Sequence, residues 1–182
     1  VPAYFGTPFY IVLEPGYNLI SLPVSPSSSY TAESLAQLIN DQGGTCTSVV
    51  AYQGGTYLTH PLGSTENVFP ISVGVGYFVR VSSASTLTVS GYAISRSTAQ
   101  LSLETGYTLI GLPLIANPAY NSESATVEIN GQPGGSVTQL IRYESGAFYT
   151  HPAGSTEEVF TLELGRGYFI RSNSGSTWTL SQ

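Results

Sequence analysis

Apolar and polar positions alternate with a period of two along most of this chain, in short runs rich in tyrosine, valine and threonine. That pattern belongs to strands lying against a core. Residues 17–24 read as one such strand, closing at Pro23, and residues 107–114 read the same way. Residues 48–52 and 56–60 flank Gln53-Gly54-Gly55, whose glycines suit the positive φ of a tight hairpin. Residues 139–143 and 147–150 flank Glu144-Ser145-Gly146 in the same manner. Two further hairpins are predicted, one joining 76–82 to 86–92 and one joining 167–172 to 177–181. A single stretch departs from this period. Residues 31–40 place Leu35, Leu38 and Ile39 on one helical face, with Thr31 as N-cap, Glu33 in the first turn and Gly43-Gly44 as the stop.

These elements occur twice. The run from Leu13 to Pro23 returns from Leu103 to Pro113, Thr59-His60-Pro61 returns as Thr150-His151-Pro152, and Gly76-Tyr77-Phe78 returns as Gly167-Tyr168-Phe169. The displacement is 90 or 91 residues throughout, so two copies of one module fill the chain. The expected fold is mainly β: two tandem homologous domains, each a β-sandwich or partly closed barrel. The boundaries are 1–92, which includes a leader strand 1–13, and 93–182. The copies are expected to differ at one place. Residues 122–130, opposite the helix of the first copy, hold Ala125, Val127 and Ile129 at alternating spacing, which predicts a strand. The link through residues 93–103 has no Pro- or Gly-rich spacer, which predicts a fixed orientation between the copies.

Composition narrows the function classes. Hydrophobic residues make up 41% and charged residues 9%, enough apolar content for cores and too much for disorder. The net charge is −6, all five basic residues are arginine, and no basic cluster exists. This argues against a nucleic-acid partner and against binding to anionic lipid surfaces. No run is long and apolar enough for a membrane span. The lysine-free, hydroxyl-rich composition and the start at Val1, in a sequence without methionine, predict an extracellular or cell-surface protein freed from a secretory leader. Cys46 has no partner for a disulfide, and Val137 at the matching position marks it as a small buried apolar residue.

Candidate chemistry is sparse. His60 and His151 each precede an acid by six residues, Glu66 and Glu157, with Ser64 and Ser155 between, the makings of a Ser-His-Glu site. Because both copies carry the set identically, each histidine is read instead as a structural ring bonded to turn backbone. Zinc lacks ligands, and Glu157, Glu158 and Glu163 offer at most a weak cation site in the second copy. No catalytic residue, cofactor or metal is expected, and the chain is read as a non-enzyme. Tyr52, Tyr57, Tyr143 and Tyr149 lie on the hairpins and are the candidates for stacking on surface glycans.

The phrase GYNLISLPV at residues 16–24, followed by GYFVRV at 76–81 and TLTVSG at 86–91, resembles a repeat found in secreted surface proteins of bacteria and archaea. The resemblance covers both copies, and it implies stalk, surface-layer or filament domains. The second copy has Thr108 and Gly111 where the first has Asn18 and Ser21. The leading expectation is therefore a structural subunit of an extracellular filament, pilus or surface lattice whose partner is itself. Assembly would be head to tail, the leader (Val1, Tyr4, Phe5, Phe9, Tyr10, Ile11, Leu13) adding to the edge at Thr177, Trp178 and Leu180 of a neighbour. The alternative is an adhesin or carbohydrate-binding stalk module of a larger surface protein.

Overall fold

The computed structural model describes residues 8–93, 99–113 and 120–180. The first copy runs β1 (Phe9–Leu13), β2 (Gly16–Ser21), β3 (Ser25–Pro26), β4 (Tyr30–Thr31), α1 (Ala32–Asp41), β5 (Cys46–Gln53), β6 (Thr56–Pro61), β7 (Pro70–Ile71), β8 (Gly76–Val81), β9 (Ser85–Val89) and β10 (Gly91–Tyr92). The second runs β11 (Gln100–Leu103), β12 (Gly106–Gly111), α2 (Ser122–Asn130), β13 (Val137–Glu144), β14 (Ala147–Pro152), β15 (Gly167–Ser172) and β16 (Ser176–Thr179). Each copy has an antiparallel four-stranded sheet, ordered β2-β8-β5-β6 in the first and β12-β15-β13-β14 in the second. Each also has a two-stranded ribbon, β1-β9 or β11-β16. The fold is mainly β and of the sandwich class, and no closed barrel forms among the described residues.

Strand alternation feeds two cores at once. In the first copy Ile20, Val49, Ala51, Tyr77 and Val79 face one way and meet Ile11, Leu13, Leu87 and Val89 of the ribbon with Leu35 and Ile39 of α1. Their neighbours Leu19, Val50 and Phe78 face the other way, against Leu109, Ile141 and Phe169 of the second copy. The two four-stranded sheets thus lie face to face, each buried side chain contributing about 2 kcal/mol.

The contact is reciprocal. Ser21 N–H donates to the Gly165 carbonyl at 3.0 Å, and Gly111 N–H donates to the Gly74 carbonyl at 3.1 Å. Phe9 and Ile11 lie over Gly165, while Leu101 lies over Gly74. Such an arrangement is a pseudo-twofold, and its axis passes where Ser21 of β2 meets Gly111 of β12. A Cβ at position 111 would overlap Cβ and Oγ of Ser21, so one of the two must be glycine.

Several expectations are corrected. Residues 122–130 form a helix, capped by Asn121, whose Oδ1 accepts from Ser124 N–H at 2.7 Å while Ser124 Oγ accepts from Asn121 N–H at 3.0 Å. Its buried face is Ser122, Ala125, Thr126 and Ile129, a helical spacing half hidden by hydroxyl residues, while Val127 is exposed. The predicted hairpins at 76–92 and 167–181 do not form as such. β8 and β9 belong to different sheets, because Thr45 Oγ1 accepts from the amides of Ser82 and Ser83 and turns the chain into the ribbon layer.

The leader is corrected as well. Phe9–Leu13 pairs along its whole length with β9 of its own copy, and Ile11 and Leu13 are buried there. Tyr10 points outward at 62% exposure. Val1, Tyr4 and Phe5 lie outside the described residues. Thr177 and Trp178 pair with Ser102 and Leu101 of β11, and Leu180 N–H donates to the Ala99 carbonyl. The opposite edge of β16 is closed by Gln132, which accepts from Thr179 N–H at 2.8 Å and donates to the Thr179 carbonyl at 2.7 Å. Gln42 does the same to Thr88 of β9. A side-chain amide stands in for a strand at both places, so Thr179, within the expected acceptor edge, is already paired on its outer side.

Candidate functional sites

The two histidines are fully buried and sit in the same constellation. His60 Nδ1–H donates to the Glu66 carbonyl at 2.8 Å, and Nε2 lies 2.7 Å from Glu33 Oε2, which also accepts from Gly63 N–H at 2.9 Å. In the second copy His151 reaches the Glu157 carbonyl at 2.7 Å and Glu123 Oε2 at 2.8 Å, with Gly154 N–H donating to Glu123 at 3.0 Å. Both ring nitrogens of each histidine face oxygen atoms, one main-chain and one carboxylate.

Each ring is thus bonded to turn backbone, as the sequence led us to expect, while the carboxylate beside it belongs to neither Glu66 nor Glu157. Glu66 and Glu157 contribute only main-chain carbonyls, and Ser64 and Ser155 accept from the Glu66 and Glu157 amides. The carboxylate comes from the first turn of the preceding helix, where the dipole favours negative charge. The histidine ring and, beside it, the glycine amide hold the Glu33 and Glu123 carboxyls below their ordinary value. The arrangement ties a helix N-terminus, a strand end and the following turn together. The sequence signal for it was Glu33 and Glu123 at matching helix positions.

The glycan candidates divide. Tyr52, Tyr57 and Tyr143 meet at the open end of the inter-sheet layer, with Tyr52 and Tyr57 5.0 Å apart, Tyr52 and Phe169 5.4 Å apart, and Phe78 and Tyr143 5.2 Å apart. Tyr17, Phe78 and Phe148, not singled out from the sequence, join Tyr57 and Tyr143 around a hollow of about 340 Å³. Tyr57 and Phe148 are 53% and 54% exposed. Tyr149 points to the opposite face of β14, where Arg142 lies over its ring at 4.8 Å. Alternation along the strand separates it from the rest.

The remaining candidates are structural or apart. Glu163 pairs with Arg166 at 2.7 Å, and among the described residues no group of three or more His, Cys, Asp or Glu is placed to hold a metal ion. Burial pushes the Cys46 thiol up to about 11. No described helix is long and apolar enough to cross a membrane. No family model matches the chain, and no curated protein or solved structure matches it.

Proposed function

We propose that this chain is a structural subunit of an extracellular filament or surface lattice. The observation that carries this reading is the strand β10. On its way from the first copy to the second, Gly91–Tyr92 pairs with Ser25–Pro26 of the copy it leaves. A connecting segment thus completes one body while leading into the next. In the proposed assembly residues 1–7 of one chain, which lie outside the described residues, take the same role on the second copy of a neighbour. The sheet-to-sheet contact is reciprocal and closes on itself, so it is not the contact repeated from chain to chain; a strand passed head to tail stays open-ended. The lysine-free, charge-poor composition supports an extracellular setting.

Negative-stain electron microscopy of the full chain and of a truncation starting at Pro8 tests this. The truncation keeps β1 and its buried Ile11 and Leu13. Uniform fibres are expected from the full chain and dispersed particles from the truncation. Fibres from both would sink the strand mechanism, and dispersed particles from both would sink the structural reading.

A second reading rests on the aromatic hollow. Tyr17, at 46% exposure, Tyr57 and Phe148 offer ring faces of the kind that stack on sugars, as in a carbohydrate-binding module. Saturable oligosaccharide binding that drops in Tyr57→Ala would support it.

A further inference from the structure

The repeat supplies a filter. A residue type found at the same place in both copies is explained first by the fold, as the histidine and glutamate pairs are. A residue type found in one copy only needs another reason. Arg142, Glu144, Glu163 and Arg166 of the second copy stand where the first has Ala51, Gln53, Ser72 and Val75. They come from β13 and from the loop before β15, yet they meet. Arg166 Nε lies 2.7 Å from Glu163 Oε2 and its Nη1 3.8 Å from Glu144 Oε1, while Arg142 Nη1 lies 3.4 Å from Glu144 Oε2. These side chains are between a third and three-fifths exposed, and ion pairs so exposed contribute little to stability. The fold does not call for them.

Glu144, Glu163 and Arg166 line a cleft of about 920 Å³ between the copies. Its other wall is the first copy's β1 and β2, which present Tyr10 and Tyr17. The volume falls within the range of ligand sites, roughly 300–1,000 Å³. Tyr17 and Tyr143 border both this cleft and the aromatic hollow, so the two are one continuous surface.

We propose that this cleft binds a neutral oligosaccharide, sugar rings lying on Tyr10 and Tyr17 and hydroxyls bonded by Glu144, Glu163 and Arg166. A carboxylate and a guanidinium each present paired atoms that match neighbouring hydroxyls, and exposed tyrosine faces match the C–H faces of pyranose rings. With Glu14 also on the wall, three carboxylates stand against Arg166 and, behind Glu144, Arg142, a net negative balance that disfavours phosphates and other anions. The proposal rests on the second reading above for its ligand class and extends the site from the hollow into the cleft.

The test is calorimetric titration of the full chain with hexasaccharides of β-1,4-glucose, β-1,4-N-acetylglucosamine and α-mannose. Glu144→Gln, Glu163→Ser and Arg166→Val install residues that the first copy carries at the same places, and Tyr10→Ala changes an exposed ring. Their thermal unfolding is expected at the parent's temperature. Saturable binding to at least one sugar is expected, weakened tenfold or more by each variant. Loss of affinity in both these variants and Tyr57→Ala supports one site running from cleft to hollow. Loss only in Tyr57→Ala or Phe148→Ala overturns this proposal and leaves the second reading standing. Absence of binding to every sugar, or binding of hexalysine in place of the sugars, overturns both.

Discussion

The two copies agree at their buried histidine clamps and differ where they meet on the shared axis. Both carry the buried histidine, the helix carboxylate and the turn glycine amide at nearly the same distances. Where β2 meets β12, however, the first copy has Ser21 and the second Gly111. Ser21 Oγ donates to the Arg166 carbonyl at 2.9 Å, and its bulk occupies the space that a second serine would need. A pseudo-twofold brings equivalent residues onto each other, so identical copies would collide there. The repeat is therefore complementary, and its most telling difference is the smallest one, a single missing side chain.

Gly111→Ser gives the largest expected effect. It sets serine against serine, and overpacking of this kind costs about 3 kcal/mol. The exchange variant, Ser21→Gly with Gly111→Ser, moves the asymmetry to the other side of the axis and is expected to recover most of that loss. Urea unfolding midpoints decide the matter. A single variant as stable as the parent would break the argument that close approach dictates the difference.

The shared clamps come next. His60→Ala and His151→Ala each remove a buried ring bonded on both sides and are expected to cost about 2–3 kcal/mol. The two losses should match within about 0.5 kcal/mol and add in the double variant. A loss in one copy alone would break the equivalence of the halves. A smaller effect follows from the carboxyls. Glu33 and Glu123 titrate lower in the folded chain than the ordinary 4.5, so each contributes stability above 4.5 that is lost as the pH falls through the folded value. Unfolding midpoints should fall on acidification below about 4.5 and flatten there in Glu33→Gln with Glu123→Gln. A profile unchanged by that pair would show that the clamps carry no charge.

The strands were legible because period two survives wherever one face meets a core, as in β5 and β8. The second helix was not. Ser122 and Thr126 occupy core-facing positions on α2 and hide its spacing, leaving Ala125, Val127 and Ile129 to imitate a strand. The cap reading Asn121 to Ser124 was present in the letters, but only the matching Thr31 to Ser34 box gives it weight. The ribbon layer was illegible for another reason: adjacency in sequence suggested β8–β9 pairing, and Thr45, distant in sequence, redirects the chain. The candidate tyrosines divide between two faces, since strand parity sorts Tyr143 from Tyr149 only once the inward face is known. Glu33 as the histidine's partner, and Ser21 opposite Gly111, depend on distant segments meeting, which no local pattern carries.

The smallest expected effect concerns the other kind of asymmetry. Arg142 and Tyr149 of the second copy replace Ala51 and Leu58, an apolar pair packed against the first core. The guanidinium lies over the Tyr149 ring at 4.8 Å and over Phe160 at 5.2 Å, contacts that contribute about 0.5–1 kcal/mol at partly exposed sites. Against this, Arg142 Nε is buried without a hydrogen-bond partner, which offsets much of the gain. Arg142→Ala with Tyr149→Leu rebuilds the first copy's pair and should shift stability by less than about 1 kcal/mol in either direction. Denaturant unfolding beside the parent measures it. A near-zero result would separate two classes of difference between the copies: one at the axis that the fold requires, and one around Arg142 and Glu144 that the fold merely tolerates and that selection for a ligand can hold in place. A loss of several kcal/mol would move these charges into the first class and remove the reason for reading the cleft beside them as a binding site.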